Sequence, residues 1–294
     1  MGISREQALD CFASDDLIGI GMEADAVRRG LHPEGVVSYG MEHVVLLGCR
    51  SDDEVFAQTT AAVEMGASGI VLVGRVSGGL ECAAQLIAGL RERFPELWLQ
   101  GFSAKQLVEL AAESGQSLSD ILARLKDAGL NSIGSTTGAT VGEQWVSVHR
   151  AAHGVEMPTT ARIVFGAGET LEERMDALEA VRQLQEETGG FAALAPVSFH
   201  AEGGRELDET TAVEYLKMLA VTRMFVDNVE NLESDWTTQG LKVLQMGLRF
   251  GANDVGAVQV ERTKGATEEE VRRVIRDAGF RPAQREMGYR AMMV

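Results

Sequence analysis

Cysteine is scarce: three residues, Cys11, Cys49 and Cys82, in 294. An odd count without short spacings spells neither a disulfide framework nor a zinc knuckle, and fits a reducing cytoplasm. Aromatic residues make up 5% of the chain, whereas glycines number 33. The core must then be largely aliphatic and the turns glycine-built, which favours a compact α/β scaffold. Positive charge is also short, with 27 Lys and Arg against 44 Asp and Glu, a net charge of −17. Such a balance excludes a nucleic-acid backbone or an anionic membrane as the main partner. No apolar run approaches the roughly 18 residues of a membrane span, and the opening Met-Gly-Ile-Ser-Arg-Glu lacks the basic-then-apolar order of a secretory signal. The expectation is an unanchored cytoplasmic protein with neither membrane nor nucleic acid as a partner.

What is present is a repeat. Apolar runs occur at Val36–Leu47, Gly69–Val73, Leu97–Phe102, Asn131–Ile133, Thr160–Phe165, Phe191–Phe199, weakly at Val226–Leu232, and at Ala252–Val260. Their starts lie about thirty residues apart, the length of a strand with its crossover helix. Eight such units predict an α/β fold of the (β/α)8 TIM-barrel type, with shortened early loops. The intervening segments have helical period. Val55, Phe56, Thr59, Ala62 and Val63 make one apolar stripe between Asp52 and Glu64. Thr170-Leu-Glu-Glu has capping-box spacing before Met175, Leu178, Val181 and Leu184, and Ser117–Ala128 stops at Gly129. Residues 1–35 read as an N-terminal helical extension, and 36–294 as a single barrel ending in a helical tail, Glu268–Ala278. No Pro/Ser-rich linker divides the chain.

Barrels of this type carry chemistry at the C-terminal ends of their strands, where the loops converge. His200, closing Ala195-Pro-Val-Ser-Phe-His, is a candidate acid/base group or hydrogen-bond donor there. Arg162 stands inside an apolar strand, so its guanidinium needs an anionic ligand or a buried carboxylate. Ser135 and Thr136, in a glycine-flanked turn, offer hydroxyls and free N–H groups to an oxyanion, although a plain βα turn explains the same residues. Asn231, Asn253 and Asp254 gather amides and a carboxylate that could read the hydroxyls of a sugar or nucleoside, or serve as ordinary turn residues. His149 and His153 have i, i+4 spacing, but no carboxylate completes a zinc motif, and no metal site is expected.

Longer stretches carry a resemblance. Thr159-Thr-Ala-Arg-Ile-Val-Phe-Gly-Ala-Gly-Glu-Thr, Leu184-Gln-Glu-Glu-Thr-Gly-Gly-Phe and Pro196-Val-Ser-Phe-His occur in that order. Arg223-Met-Phe-Val-Asp-Asn-Val-Glu-Asn-Leu-Glu-Ser-Asp-Trp, Phe250-Gly-Ala-Asn-Asp-Val-Gly and Asp277-Ala-Gly-Phe-Arg-Pro-Ala-Gln-Arg follow. Together they resemble the radical SAM enzymes of the futalosine route to menaquinone, a group that includes relatives in deazaflavin cofactor synthesis. Arg28–Tyr39 and Gly101-Phe-Ser-Ala-Lys-Gln-Leu extend the likeness over nearly the whole chain.

That family holds a 4Fe–4S cluster on three thiolates, normally C-x3-C-x2-C after the first strand. Here Val44-Val-Leu-Leu-Gly-Cys-Arg-Ser-Asp-Asp passes directly towards the next helix with one cysteine. The stretch Gly74-Arg-Val-Ser-Gly-Gly-Leu lacks the usual following His-Pro, and Ala167 stands where relatives often carry His. The resemblance therefore implies a degenerate member: no 4Fe–4S cluster is expected, and nothing specifically supports SAM as an iron-free ligand. Two functions follow. One is a pseudoenzyme that binds a nucleoside-like or anionic small molecule, as a homodimer or as a hetero-oligomer with an active radical SAM relative. The other is a non-radical lyase or transferase acting on a nucleoside-like or aromatic carboxylate compound. In that reading His200 and Asp254 are catalytic, and Arg162, Glu169, Asn231, Asn253, Ser135 and Thr136 bind substrate.

Overall fold

Alternation in the first strand decides which side of the sheet becomes the lumen. In β1 (Val36–Leu46) Val37, Tyr39, Met41 and Val45 are buried on one face, while Ser38, Gly40, Glu42, Val44 and Leu46 take the other. The apolar set meets the outer helices, and the opposite set faces the inside of the barrel. The fold is seen in a computed structural model that describes residues 2–48, 50–134, 141–199, 210–261, 265–289 and 292. Helices α1 (Arg5–Ala13) and α2 (Leu17–Leu31) precede β1. After it come α3 (Asp52–Glu64), β2 (Gly69–Val73), α4 (Gly79–Arg93), β3 (Trp98–Gly101), α5 (Ala104–Ser114), α6 (Leu118–Asp127), β4 (Ser132–Ile133) and α7 (Glu143–Gly154). The second half holds β5 (Thr159–Phe165), α8 (Leu171–Thr188), β6 (Phe191–Ser198), α9 (Ala212–Phe225), β7 (Asn231–Leu232), α10 (Trp236–Gly247), β8 (Asp254–Gln259), α11 (Glu268–Asp277) and β9 (Arg281–Gln284).

The helices start where the sequence supplies caps. In α1, α3, α5, α8, α9 and α11 a Ser or Thr accepts from the N3 backbone, while the N3 Glu or Gln accepts from the cap's own N–H. Each such cap is worth about 1 kcal/mol.

All strand pairings between named strands are parallel. One sheet runs β4-β3-β2-β1-β8, and the other β5-β6-β7. A parallel bridge between Glu233 and Asp254 joins them, with Ser234 N–H donating to the Asp254 carbonyl (2.9 Å) and Asn253 N–H to that of Leu232 (3.1 Å). The result is an eight-stranded barrel wrapped by helices, as expected from the sequence. One apolar cluster lies behind β5 to β8 and includes Ala8, Phe12, Ile20 and Ala24 of the two leading helices. A second lies behind β1 to β4. The leading helices thus pack on the barrel wall. Among the described residues no helix is long and apolar enough to cross a membrane.

Two elements depart from the expectation. The weak run at Val226–Leu232 yields a strand of only Asn231–Leu232, because Val226 instead ends α9. The tail does not finish as a helix: after α11, β9 pairs with the start of β1, Val36 opposite Arg281 through Tyr39 opposite Gln284. Pro282 lacks an N–H, and it sits on a strand with a single partner, where that donor is dispensable.

Candidate functional site

Small residues at the bottom of the barrel make room for the tail. A side chain at Gly40 or Gly69 would collide with Met287, whose sulfur and Cγ lie 2.7 and 2.8 Å from the respective Cβ positions. Met287 therefore fills the gap that glycines leave on the inner face of β1 and β2. Beside it, Arg285 donates to both carboxylate oxygens of Asp254, Nε to Oδ2 at 2.6 Å and Nη2 to Oδ1 at 3.0 Å. Asp254 also accepts from the Ser38 hydroxyl and from Gly256 N–H (2.6 Å). The Arg285 guanidinium lies 3.6 Å over the Tyr289 ring, and the Tyr289 hydroxyl donates to Glu233. Residues 285–289 thus form the floor of the lumen.

Above this floor is a cavity of about 460 Å³. Val44, Val71 and Val73 give it an apolar wall from β1 and β2. Glu42, Gln100, Arg162, Glu233 and Gln259 give it polar groups, and Trp236 and Thr237 stand at its rim. Glu42 Oε1 accepts from Gln259 Nε2 at 2.8 Å. Arg162 Nη2 is 3.7 Å from Glu233 Oε2, close enough to feel its charge but beyond hydrogen-bond distance. Burial pushes the Glu42 carboxyl above its ordinary range, with Arg162 pulling the other way. Glu233 is likewise raised, first by burial, with Arg162 opposing and Asp254 adding to the rise. Burial works against the Arg162 cation, yet Glu233, Asp235 and Glu42 hold its pKa above the usual value. Two carboxyls with raised pKa facing one guanidinium in a cleft is the pattern of a functional site.

The structure redistributes the residues expected at the rim. Arg162 points into the lumen, with a carboxylate as its nearest charged neighbour. Asp254 begins β8, is fully buried, and is engaged by Arg285, Ser38 and Gly256. Asn253 and Asn231 lie on the same side of the barrel as Asp254. Both stand at the N-terminal ends of their strands, away from the mouth. Asn253 Oδ1 accepts from Arg223 Nη2 (2.6 Å) and Leu232 N–H (2.8 Å), and its amide donates to Asn231 Oδ1 (3.0 Å). The apolar run Ala252–Val260 has Asn253 and Asp254 at its start, the end of a barrel strand that lies away from the mouth. Glu169 accepts from Gly166 N–H (2.7 Å), Ala167 N–H (2.8 Å) and Arg174 (2.6 Å), so its carboxylate ties down the β5–α8 loop. His200, Ser135 and Thr136 lie outside the described residues.

His149 and His153 are buried rather than offered to a metal. Both ring systems meet the Thr159 hydroxyl, at 2.8 and 2.9 Å, and His153 Nδ1 also meets Thr188 Oγ1 at 2.6 Å. The lumen groups Glu42, Glu233, Gln259, Arg285 and Tyr289 escaped sequence reasoning. Glu42 alone had a local signal, as the one charge on the inward phase of β1. Arg285 and Tyr289 had none, because their partners are thirty or more residues away.

The donor set does not fit an iron–sulfur cluster. Only residues 47–51 separate β1 from α3, and Ser51 already caps that helix. Cys11 sits on α1, against the cluster behind β5 to β8, and Cys82 on α4, beside the cluster behind β1 to β4. Two thiols on separate helices in opposite halves of the shell cannot share one cluster with a third. Among the described residues no group of three His, Cys, Asp or Glu could hold a metal ion.

Comparison with known proteins adds a family. Residues 188–294 match the family model described as the CofH/MqnC C-terminal region. The chain is 29% identical to cyclic dehypoxanthine futalosine synthase of Streptomyces coelicolor, over 99% of this chain and 86% of that protein. That alignment runs over 343 positions against 294 residues here, so at least 49 positions of the relative have no counterpart. The 5-amino-6-(D-ribitylamino)uracil–L-tyrosine 4-hydroxyphenyl transferase of Methanothermobacter thermautotrophicus is 31% identical, over 78% of this chain and 71% of that one. Among solved structures, methylornithine synthase superposes with a TM-score of 0.69 at 14% identity, covering 96% of this chain and 95% of its own, which shows a shared fold.

Proposed function

The chain belongs to the CofH/MqnC family, the radical SAM enzymes of the futalosine route to menaquinone, and from that membership we propose that it is a member working without the adenosyl radical. Its barrel lumen binds a nucleoside-like small molecule, and it acts as a ligand-binding pseudoenzyme or as the binding subunit of an active relative. One contrast carries this reading. The family's barrel keeps a lumen of about 460 Å³ lined with hydrogen-bonding groups, while the β1–α3 connection is five residues long and holds one thiol. The activities for which the relatives are named, on a futalosine and on a ribityl-uracil, support a ligand in which a polar ring carries a sugar or sugar-like chain. The apolar wall of Val44, Val71 and Val73 offers a face for such a ring, and Arg162, Glu42 and Gln259 offer donors and acceptors for its edges.

Anaerobic iron and sulfide reconstitution followed by metal analysis tests the first half, and thermal shift with adenosine, futalosine-type nucleosides and SAM tests the second. Iron well below one cluster per chain, with saturable stabilisation by a nucleoside, is the expected outcome. About four irons per chain with a charge-transfer spectrum would overturn the radical-free reading. A flat melting temperature across the nucleosides would overturn the binding one.

A further inference from the structure

The charges of the described lumen lining do not cancel. Asp254 and Arg285 compensate each other through two short hydrogen bonds, leaving Arg162, Glu42 and Glu233 as the charged groups of the described lining. Arg162 approaches Glu233 only to 3.7 Å. Glu233 is 6% exposed at its side chain, and its other oxygen accepts from Tyr289. Glu42 spends one oxygen on Gln259, and among the described residues nothing donates to its second. Two carboxylates against one guanidinium leave a negative charge in a cleft where water screens poorly. A phosphate or carboxylate brought beside Arg162 would also meet Glu42 and Glu233.

We propose that the lumen selects an amine-bearing, cationic nucleoside over an anionic one, with the ammonium group seated between Glu42 and Glu233. The proposal rests on the reading of the lumen as a nucleoside site and narrows it. Among the described residues the groups facing Glu42 are Arg162 on β5, Glu233 beyond β7, Gln259 on β8 and Arg285 on the tail. Burial raises the Glu42 pKa, with Arg162 opposing and Glu233 adding to the rise, so the carboxylate gains from a further cation beside it. An ammonium seated there supplies the counter-charge that the second carboxylate lacks among the described residues. The floor contributes by fixing Glu233 through Tyr289.

Isothermal titration at pH 7 with 5′-amino-5′-deoxyadenosine, adenosine and 5′-AMP tests this. The amine should bind roughly tenfold tighter than adenosine, the gain of one charge-assisted hydrogen bond, and AMP should bind weakest. Glu42→Gln should remove the amine's advantage, and Glu233→Gln provides a second variant if the first does not fold. AMP binding as tightly as the amine, or an advantage that survives in both variants, would overturn the charge selection while leaving the lumen a nucleoside site. Absence of binding by all three nucleosides would overturn both.

Discussion

A buried arginine makes its own demands on the residues around it. The Arg285 side chain is 3% exposed and that of Asp254 0%, so each is an ion out of water whose hydrogen-bonded counter-charge is the other. Replacing one partner should cost far more than replacing both. Asp254→Asn leaves the guanidinium without its charge, and urea denaturation should show a loss of about 3–5 kcal/mol. Asp254→Leu combined with Arg285→Met should recover most of that loss, because the desolvation cost disappears along with the attraction. If the double variant is as unstable as the single one, the pair's role is to hold the tail in place by specific geometry rather than to cancel charge. The same logic separates what could be read at single residues from what could not. Arg162 in an apolar strand announced a partner, and one exists in Glu233. Asp254 announced only an acidic residue near a strand. That it faces a cation in the last ten residues follows from how the tail enters the barrel, which no local pattern encodes.

At the level of elements, α7 packs against β5 through two imidazoles that the fold keeps neutral. Burial lowers the His149 pKa to about 3, with a smaller push from His153, and lowers that of His153 to about 4. An unfolded histidine titrates near 6.5. The unfolded chain therefore takes up protons that the folded chain refuses, and stability falls as the pH drops from about 6.5 to about 4. With two protons at stake the slope can reach about 2.7 kcal/mol per pH unit in the middle of that window. Unfolding free energies measured at pH 7, 6, 5 and 4 should show it, and His149→Gln with His153→Gln should flatten the curve. An unchanged slope in the double variant would assign the acid sensitivity to carboxylates instead. Elements with strong local signals were legible in the sequence: α3 spans Asp52–Glu64 as its stripe and cap require, and β2 spans Gly69–Val73. Elements defined by what they touch were not. β7 has two residues because the wall continues as the Glu233–Asp254 bridge, and β9 exists because the first residues of β1 have a free edge.

The barrel as a whole is sealed unevenly. Parallel ladders join β1 to β2 and β8, β2 to β3, and β5 to β6, whereas β3–β4 and β6–β7 have two-residue registers. The thirty-residue repeat made the eightfold closure legible, but repeat length does not reveal which seam is weak, since that depends on the register each pair can reach. Between β4 and the entry to β5, among the described residues, the Ser132 hydroxyl donates to the Pro158 carbonyl at 2.7 Å. This seam also lies near the division between the two apolar clusters, one behind β1 to β4 and one behind β5 to β8. A barrel built this way should open there first, because the fewest hydrogen bonds and the least shared core oppose separation. Ser132→Ala strips the carbonyl of its buried partner and should cost about 1–3 kcal/mol in global stability. Hydrogen exchange gives the sharper readout. Amides at the β3–β4 edge and along β5 should exchange faster in the variant by more than the global loss accounts for, while those of the β1–β8 ladder should follow the global change alone. A uniform rise across all the strands would mean that the two halves unfold as one unit and that the β4–β5 seam has no opening of its own.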